Sequence, residues 1–176
     1  MISPQCPRPI DDDDETEDSD HKQNDKFIDT LQDPMELAVA PDGTVFYAQR
    51  NGVVRMVPPG KTGVEIAKVP TFTGLEDGML GITLDPNFAK NKWIYLNRSL
   101  PETTKNDQGN KQGIIRVSRF TLKGAKLDLE SEQAIIDIRT QREQCCHVGG
   151  SLAFAPKGNL LVAVGDNTNP FHDKSQ

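Results

Sequence analysis

The stretch Leu37-Ala38-Val39-Ala40-Pro41-Asp42-Gly43-Thr44-Val45-Phe46-Tyr47 reads as a strand, a Pro-Asp-Gly turn and a second strand. It returns as Leu152-Ala153-Phe154-Ala155-Pro156-Lys157-Gly158-Asn159-Leu160-Leu161-Val162. A looser copy, Ile82-Thr83-Leu84-Asp85-Pro86-Asn87-Phe88, carries a longer turn before Trp93-Ile94-Tyr95-Leu96. Proline presets the first backbone angle of such a turn, and glycine supplies the positive φ that other residues resist. Apolar residues alternate before each turn, which predicts a strand with one buried face. After the turn they run together, which predicts a strand covered on both faces.

Further strand candidates follow each copy. Gly52–Val57 and Val64–Val69 come after the first, and Ile114–Leu122 and Ala134–Ile138 after the second. The polar, Gly- and Asn-containing segment from Pro101 to Gln112 reads as a surface loop. No stretch of ten or more residues carries a helical period. Four strands per repeat, recurring every few tens of residues, is the pattern of a β-propeller blade. The fold class expected is therefore all-β. Two blades are complete, and a third has only its first hairpin, ending near Val164-Gly165-Asp166. A single small β-sandwich of about ten strands is the alternative that the pattern leaves open.

The chain has 176 residues and a formal net charge of −6. Residues 11–20, DDDDETEDSD, hold 8 of the 26 acidic residues, so 18 remain elsewhere against 20 basic ones. The acidity belongs to residues 1–30, which lack an apolar cluster and are expected to form a disordered tail. Residues 31–176 form the folded unit. Its balanced charge shows no basic face, so no nucleic acid is expected as a partner. No apolar run approaches the ~20 residues that cross a bilayer, and no signal peptide is visible. Three cysteines are too few for a disulfide framework. Neither a phosphate-cradling glycine loop nor an HExxH metal motif is present.

Three blocks resemble a known family in order and spacing. They are Pro34 to Gly52, then Glu76-Asp77-Gly78-Met79-Leu80-Gly81 running on to Phe88, then His147-Val148-Gly149-Gly150-Ser151-Leu152 running on to Asp166. Together they are similar to the opening blades of the glucose/sorbosone dehydrogenases, the soluble quinoprotein sugar dehydrogenases. The resemblance implies a six-bladed propeller of which this chain would be the N-terminal portion, about two and a half blades. It implies pyrroloquinoline quinone (PQQ) at one end of the central channel, with calcium holding and polarising it. It also implies a small-molecule sugar or related alcohol as substrate, and a periplasmic or extracellular location. The resemblance, through the string Cys-Cys-His-x-Gly-Gly, extends to long bacterial chains, and it implies an electron-accepting haem domain or protein as a partner. Most cofactor-binding residues would lie beyond Gln176, and none here is assigned to a metal.

In that family a histidine takes the hydroxyl proton while hydride passes to the quinone, and His147 matches it. Imidazole suits this work because its ordinary pKa lies close to neutral. Asp166 matches an acid that orients the base; its other reading is a Gly-Asp-Asn turn residue. Glu76 falls where sugar-binding members carry glutamine, which keeps the acceptor and loses the amide donor. It could equally be a turn carboxylate beside Asp77-Gly78. Cys146 stands where glucose-oxidising members have an acid, and a thiol is a poor partner for a sugar hydroxyl. Cys145 and Cys146 have three readings: free thiols, a strained vicinal disulfide, or metal binding with His147. Asn97-Arg98-Ser99 fits the glycosylation sequon, which carries no meaning in a bacterial chain. Some relatives of this propeller are extracellular binding modules, so that non-catalytic reading stays open.

Overall fold

A computed structural model describes residues 31–143 and 148–166. The first sheet contains β1 (Pro34–Val39), β2 (Val45–Gln49), β3 (Val53–Val57) and β4 (Val64–Lys68), antiparallel and in chain order. The second begins with β5 (Met79–Leu84), followed by a one-turn helix α1 (Phe88–Asn91) and then β6 (Trp93–Ser99). It is completed by the short β7 (Thr104–Lys105) and the long β8 (Lys111–Lys123) and β9 (Lys126–Gln141). Strand β6 pairs with β5 and β8, and β8 also takes β7 and β9. A third, two-stranded sheet pairs β10 (Gly149–Phe154) with β11 (Leu160–Val164).

The repeated phrase makes the same turn twice. The N–H of Ala40 donates to the Thr44 carbonyl at 2.8 Å, and that of Gly43 to the Ala40 carbonyl at 2.9 Å. The third copy repeats both bonds, Ala155 to Asn159 at 2.9 Å and Gly158 to Ala155 at 2.8 Å. Gly43 and Gly158 sit at φ 83° and 84°, where a Cβ would clash with the backbone. The middle copy uses Asp85 instead. Its Oδ1 accepts from the Asn87 N–H and the Asn91 side chain, both at 2.8 Å, and this nucleates α1.

Three sheets packed in series replace the sandwich alternative. One core lies between the first and second sheets, where Phe46 and Phe88 meet edge-on at 5.4 Å among Ala48, Val54, Met79, Ile82, Leu96 and Phe120. A second lies between the second and third sheets, around Tyr95, Val117 and Leu152, with Tyr95 and Phe154 edge-on at 5.2 Å. A two-sheet sandwich has one core; here the middle sheet is buried on both faces. Strand β6 shows it, with every residue from Ile94 to Ser99 buried. The strands β1, β5 and β10 lie side by side and each ends its sheet, so all three present an unpaired edge. This is the radial arrangement of propeller blades about a channel.

Three expectations need correction. In β1 the apolar face is not buried: Leu37 and Val39 are 61% and 58% exposed, because no described sheet packs on it, while Glu36 and Ala38 on the other face are half-buried. The segment from Pro101 to Gln112 is not wholly loop, since Thr104–Lys105 pairs with Lys111–Gln112 around an Asn106-stabilised turn. Strand β9 begins at Lys126, eight residues before the expected Ala134. Its first half, KLDLESEQ, is an outer edge strand mostly facing water, with Leu127 turned into the core, so its apolar signal is weak. The expected tail over residues 1–30 lies outside the described residues. Among the described residues no helix is long and apolar enough to cross a membrane.

Candidate functional site

At one end of the inner strands lies a cleft of about 380 Å³, lined by Met35, Arg50, Leu75, Glu76, Leu80, Val148 and Gly149. All three sheets contribute, through β1, the segment entering β5, and the start of β10. The floor is close-packed because side chains are missing where backbones meet. A Cβ on Gly81 would stand 2.1 Å from the Gly150 carbonyl oxygen, and one on Gly150 would stand 2.4 Å from Leu80 Cβ. Glycine at both positions lets β5 and β10 press together directly under the cleft.

Arg50 braces the Glu76 loop. Its guanidinium donates to the carbonyls of Thr73, at 3.0 Å, and Leu75. Its own carbonyl accepts from the Met79 N–H at 2.9 Å. Next to Glu76, Asp77 is buried, 2% exposed, and accepts from the Ser99 hydroxyl at 2.5 Å. Burial raises the Asp77 pKa above its ordinary value, against the opposing effects of the Ser99 bond and the Arg142 and Arg50 charges. Arg142, itself buried, forks across the next loop. It donates to the carbonyls of Leu100 at 2.6 Å and Glu102 at 2.7 Å, and to the Thr103 hydroxyl at 2.7 Å. Its guanidinium lies 3.9 Å from the Phe72 ring centroid. The planar fork fits here because Gly113 leaves the space; a Cβ there would be 2.2 Å from the guanidinium carbon.

Glu76 is thus left exposed on a braced loop, and its carboxylate makes no hydrogen bond with the described residues, which suits a ligand contact. Asp166 follows Gly165, whose N–H donates to the Val148 carbonyl at 3.1 Å, so Asp166 stands at the cleft end of its sheet. His147 and Cys146 lie outside the described residues, as does Cys145. The chain brings Val148, the residue after His147, into the cleft lining. Asn97 of the sequon is 1% exposed between the second and third sheets, where the folded chain leaves no room for a glycan. Among the described residues no group of three or more His, Cys, Asp or Glu side chains comes together to hold a metal.

Sequence reading passed over Arg50, Asp77 and Arg142. The first two stand inside the quoted blocks, yet nothing local distinguishes a loop brace from a solvated charge. Arg142 pairs with residues some forty positions away, which no local pattern could reveal.

Comparison with known proteins follows the same line. An uncharacterised protein of Synechocystis sp. is 31% identical over 153 residues, covering 81% of this chain and 35% of that protein. The human Hedgehog-interacting protein is 25% identical over 179 residues, covering 89% of this chain and 24% of that protein. The chain thus spans about a third or less of these relatives. Among solved structures, a Thermus thermophilus oxidoreductase described as a glucose dehydrogenase superposes with TM-score 0.62 at 29% identity, over 78% of this chain and 38% of that one. The PQQ-bound aldose sugar dehydrogenase of Streptomyces coelicolor shares the fold, with TM-score 0.58 at 23% identity, over 79% of this chain and 40% of that one. The glucose/sorbosone dehydrogenase profile matches residues 31–176, and the chain belongs to that family.

Proposed function

We propose that this sequence supplies the first blades of a quinone-dependent dehydrogenase that oxidises the CH–OH group of a sugar or related alcohol, in the periplasm or outside the cell. The observation that carries it is the cleft: Glu76 and the backbone following His147 meet at one end of three inner strands. Its volume falls within the usual range for small-molecule sites, about 300–1,000 Å³. Apolar Met35, Leu75 and Leu80 suit one wall of a site for a flat, aromatic cofactor such as PQQ. Arg50 is committed to backbone carbonyls, so the cations that would clamp the cofactor's carboxylates belong to other blades, as would any calcium ligands. When bound, the quinone supplies a two-electron acceptor.

In this reading His147 removes the substrate hydroxyl proton as the hydride leaves carbon. Asp166 orients the imidazole, and Glu76 accepts a hydrogen bond from a second hydroxyl. Cys146 argues against glucose itself, because a thiol cannot hold a sugar hydroxyl as a carboxylate would. The test is His147→Gln in the natural protein containing this sequence, with PQQ, calcium, a dye acceptor and a panel of aldoses. The substitution keeps size and a hydrogen bond but removes the proton acceptor, so turnover should fall by ~10²-fold or more. Full turnover in that variant would refute the assignment.

One observation favours a second reading, a non-catalytic binding module. The match to the Hedgehog-interacting protein covers 89% of this chain, more than the match to the Thermus oxidoreductase. Absence of PQQ binding by the wild-type protein would decide for it.

A further inference from the structure

Glu36 does something that no neighbouring repeat does. In the three copies of the repeated phrase, Glu36, Gly81 and Ser151 occupy the same place, one residue before Leu37, Ile82 and Leu152. These positions lie on β1, β5 and β10, whose inner edges have no strand partner. Open edges leave backbone N–H groups unsatisfied by the sheet. The Glu36 carboxylate answers two of them: Oε2 accepts from the Ile82 N–H at 2.8 Å and the Leu152 N–H at 3.3 Å. Its Oε1 accepts from the Ser151 hydroxyl. One side chain therefore ties all three inner strands together. It can reach from the first blade to the third because Gly81, lacking a side chain, lets β10 approach β5 closely.

The tie lies immediately beneath the cleft. Met35, Leu80 and Gly149, the cleft residues of the same three strands, are each one or two positions from a tied residue. We propose that Glu36 is a positioning residue for the reaction, fixing the spacing between the loop that carries Glu76 and the strand start that follows His147. The assignment of a reaction rests on the function proposed above; the tie itself does not. Carboxylate chemistry explains the choice of residue. A carboxylate's two oxygens offer about four lone-pair directions, so Oε2 can take two backbone donors while Oε1 takes a hydroxyl. Glutamine can reproduce the same set, its carbonyl facing the two N–H groups and its amide donating to Ser151, whose hydroxyl then accepts. Alanine can reproduce none of it.

The experiment compares Glu36→Ala and Glu36→Gln in the natural protein, by amide hydrogen exchange and, with PQQ, calcium and a dye acceptor, by turnover well below the melting temperature. Glu36→Ala should speed exchange at Ile82 and Leu152 and lower kcat by ~10–10²-fold, the scale of an ångström-sized misplacement. Glu36→Gln should restore both to within a few-fold of wild type. If Glu36→Ala speeds exchange and lowers the melting temperature but leaves kcat intact, Glu36 is merely structural and the proposal falls. If Glu36→Gln is as impaired as Glu36→Ala, the negative charge and not hydrogen-bond acceptance is what matters, and the proposal falls again. Unchanged exchange in Glu36→Ala removes the tie altogether. A wild type that oxidises nothing, with exchange responding as expected, would overturn the proposed function and with it the positioning role, while leaving the tie.

Discussion

Adding one methyl group at Gly81 should damage this protein more than its size suggests. Gly81 has an ordinary strand conformation, so alanine brings no backbone strain. The whole cost is steric. The new Cβ would stand 2.1 Å from the Gly150 carbonyl oxygen and 3.1 Å from both Asn97 Cβ and Leu152 Cγ. Carbon and oxygen rest at roughly 3.2 Å or more, so β5 and β10 must part by about 1 Å. The obstacle is backbone on one side and core side chains on the other, and no flexible tip can swing away. Overpacking of this kind costs about 1–3 kcal/mol. Urea or thermal unfolding of Gly81→Ala against wild type measures it. Gly109→Ala is the comparison, because at φ 83° with nothing within 4 Å of an added Cβ it carries backbone strain without steric overlap. Since the parting strands form the cleft floor, turnover should also fall by ~10²-fold if the proposed reaction is right. A Gly81→Ala protein with wild-type unfolding would refute the close packing of the second and third blades.

Two further outcomes follow from the braces. Arg142→Met keeps the stack on Phe72 but leaves the acceptors of Leu100, Glu102 and Thr103 without their donor, so stability should drop by about 3 kcal/mol; amide exchange around residues 100–105 should rise with it, and a loss below ~1 kcal/mol would show the fork to be dispensable. Asp77 is held above its ordinary pKa, so the folded state keeps its proton longer than the unfolded chain. Its contribution therefore favours folding most at pH below the unfolded value near 3.8 and is lost as pH rises through the higher folded value. Urea midpoints measured from acid to neutral pH should show Asp77→Asn gaining on wild type across that window and keeping a constant difference above it; wild type gaining on Asp77→Asn as pH rises would refute the sign.

Legibility tracked the locality of the forces. The turns at Pro41 and Pro156 were readable because a five-residue segment determines them, down to the same pair of backbone bonds. Strands β2 and β6 were readable from their first four residues, an apolar run buried on both faces, whereas their buried polar ends, Gln49 and Asn97-Arg98-Ser99, carried no such signal. The start of β9 was not, since an outer strand held mainly by its ladder to β8 tolerates charge at most positions. The orientation of β1 was misread because alternation tells which residues share a face and not which face has a neighbour. At the site, Glu76 was legible through its family block, and the structure places it in the cleft. Glu36 was not, although a carboxylate in phase with Ala38 and Ala40 on a short strand was a signal that could have been weighed.

The exposed apolar face of β1 bears on how such a chain can be built. Ile82 and Leu84 lean on the first sheet, and Leu152 and Phe154 lean on the second. The equivalent residues Leu37 and Val39 point the same way around the ring, away from every described sheet. During vectorial synthesis each later blade emerges onto a surface already made, so the second and third can dock as they appear. Among the described residues no sheet covers Leu37 and Val39, so this apolar face stays in water until a further sheet docks on it, and burying it is a step separate from stacking the three sheets on one another.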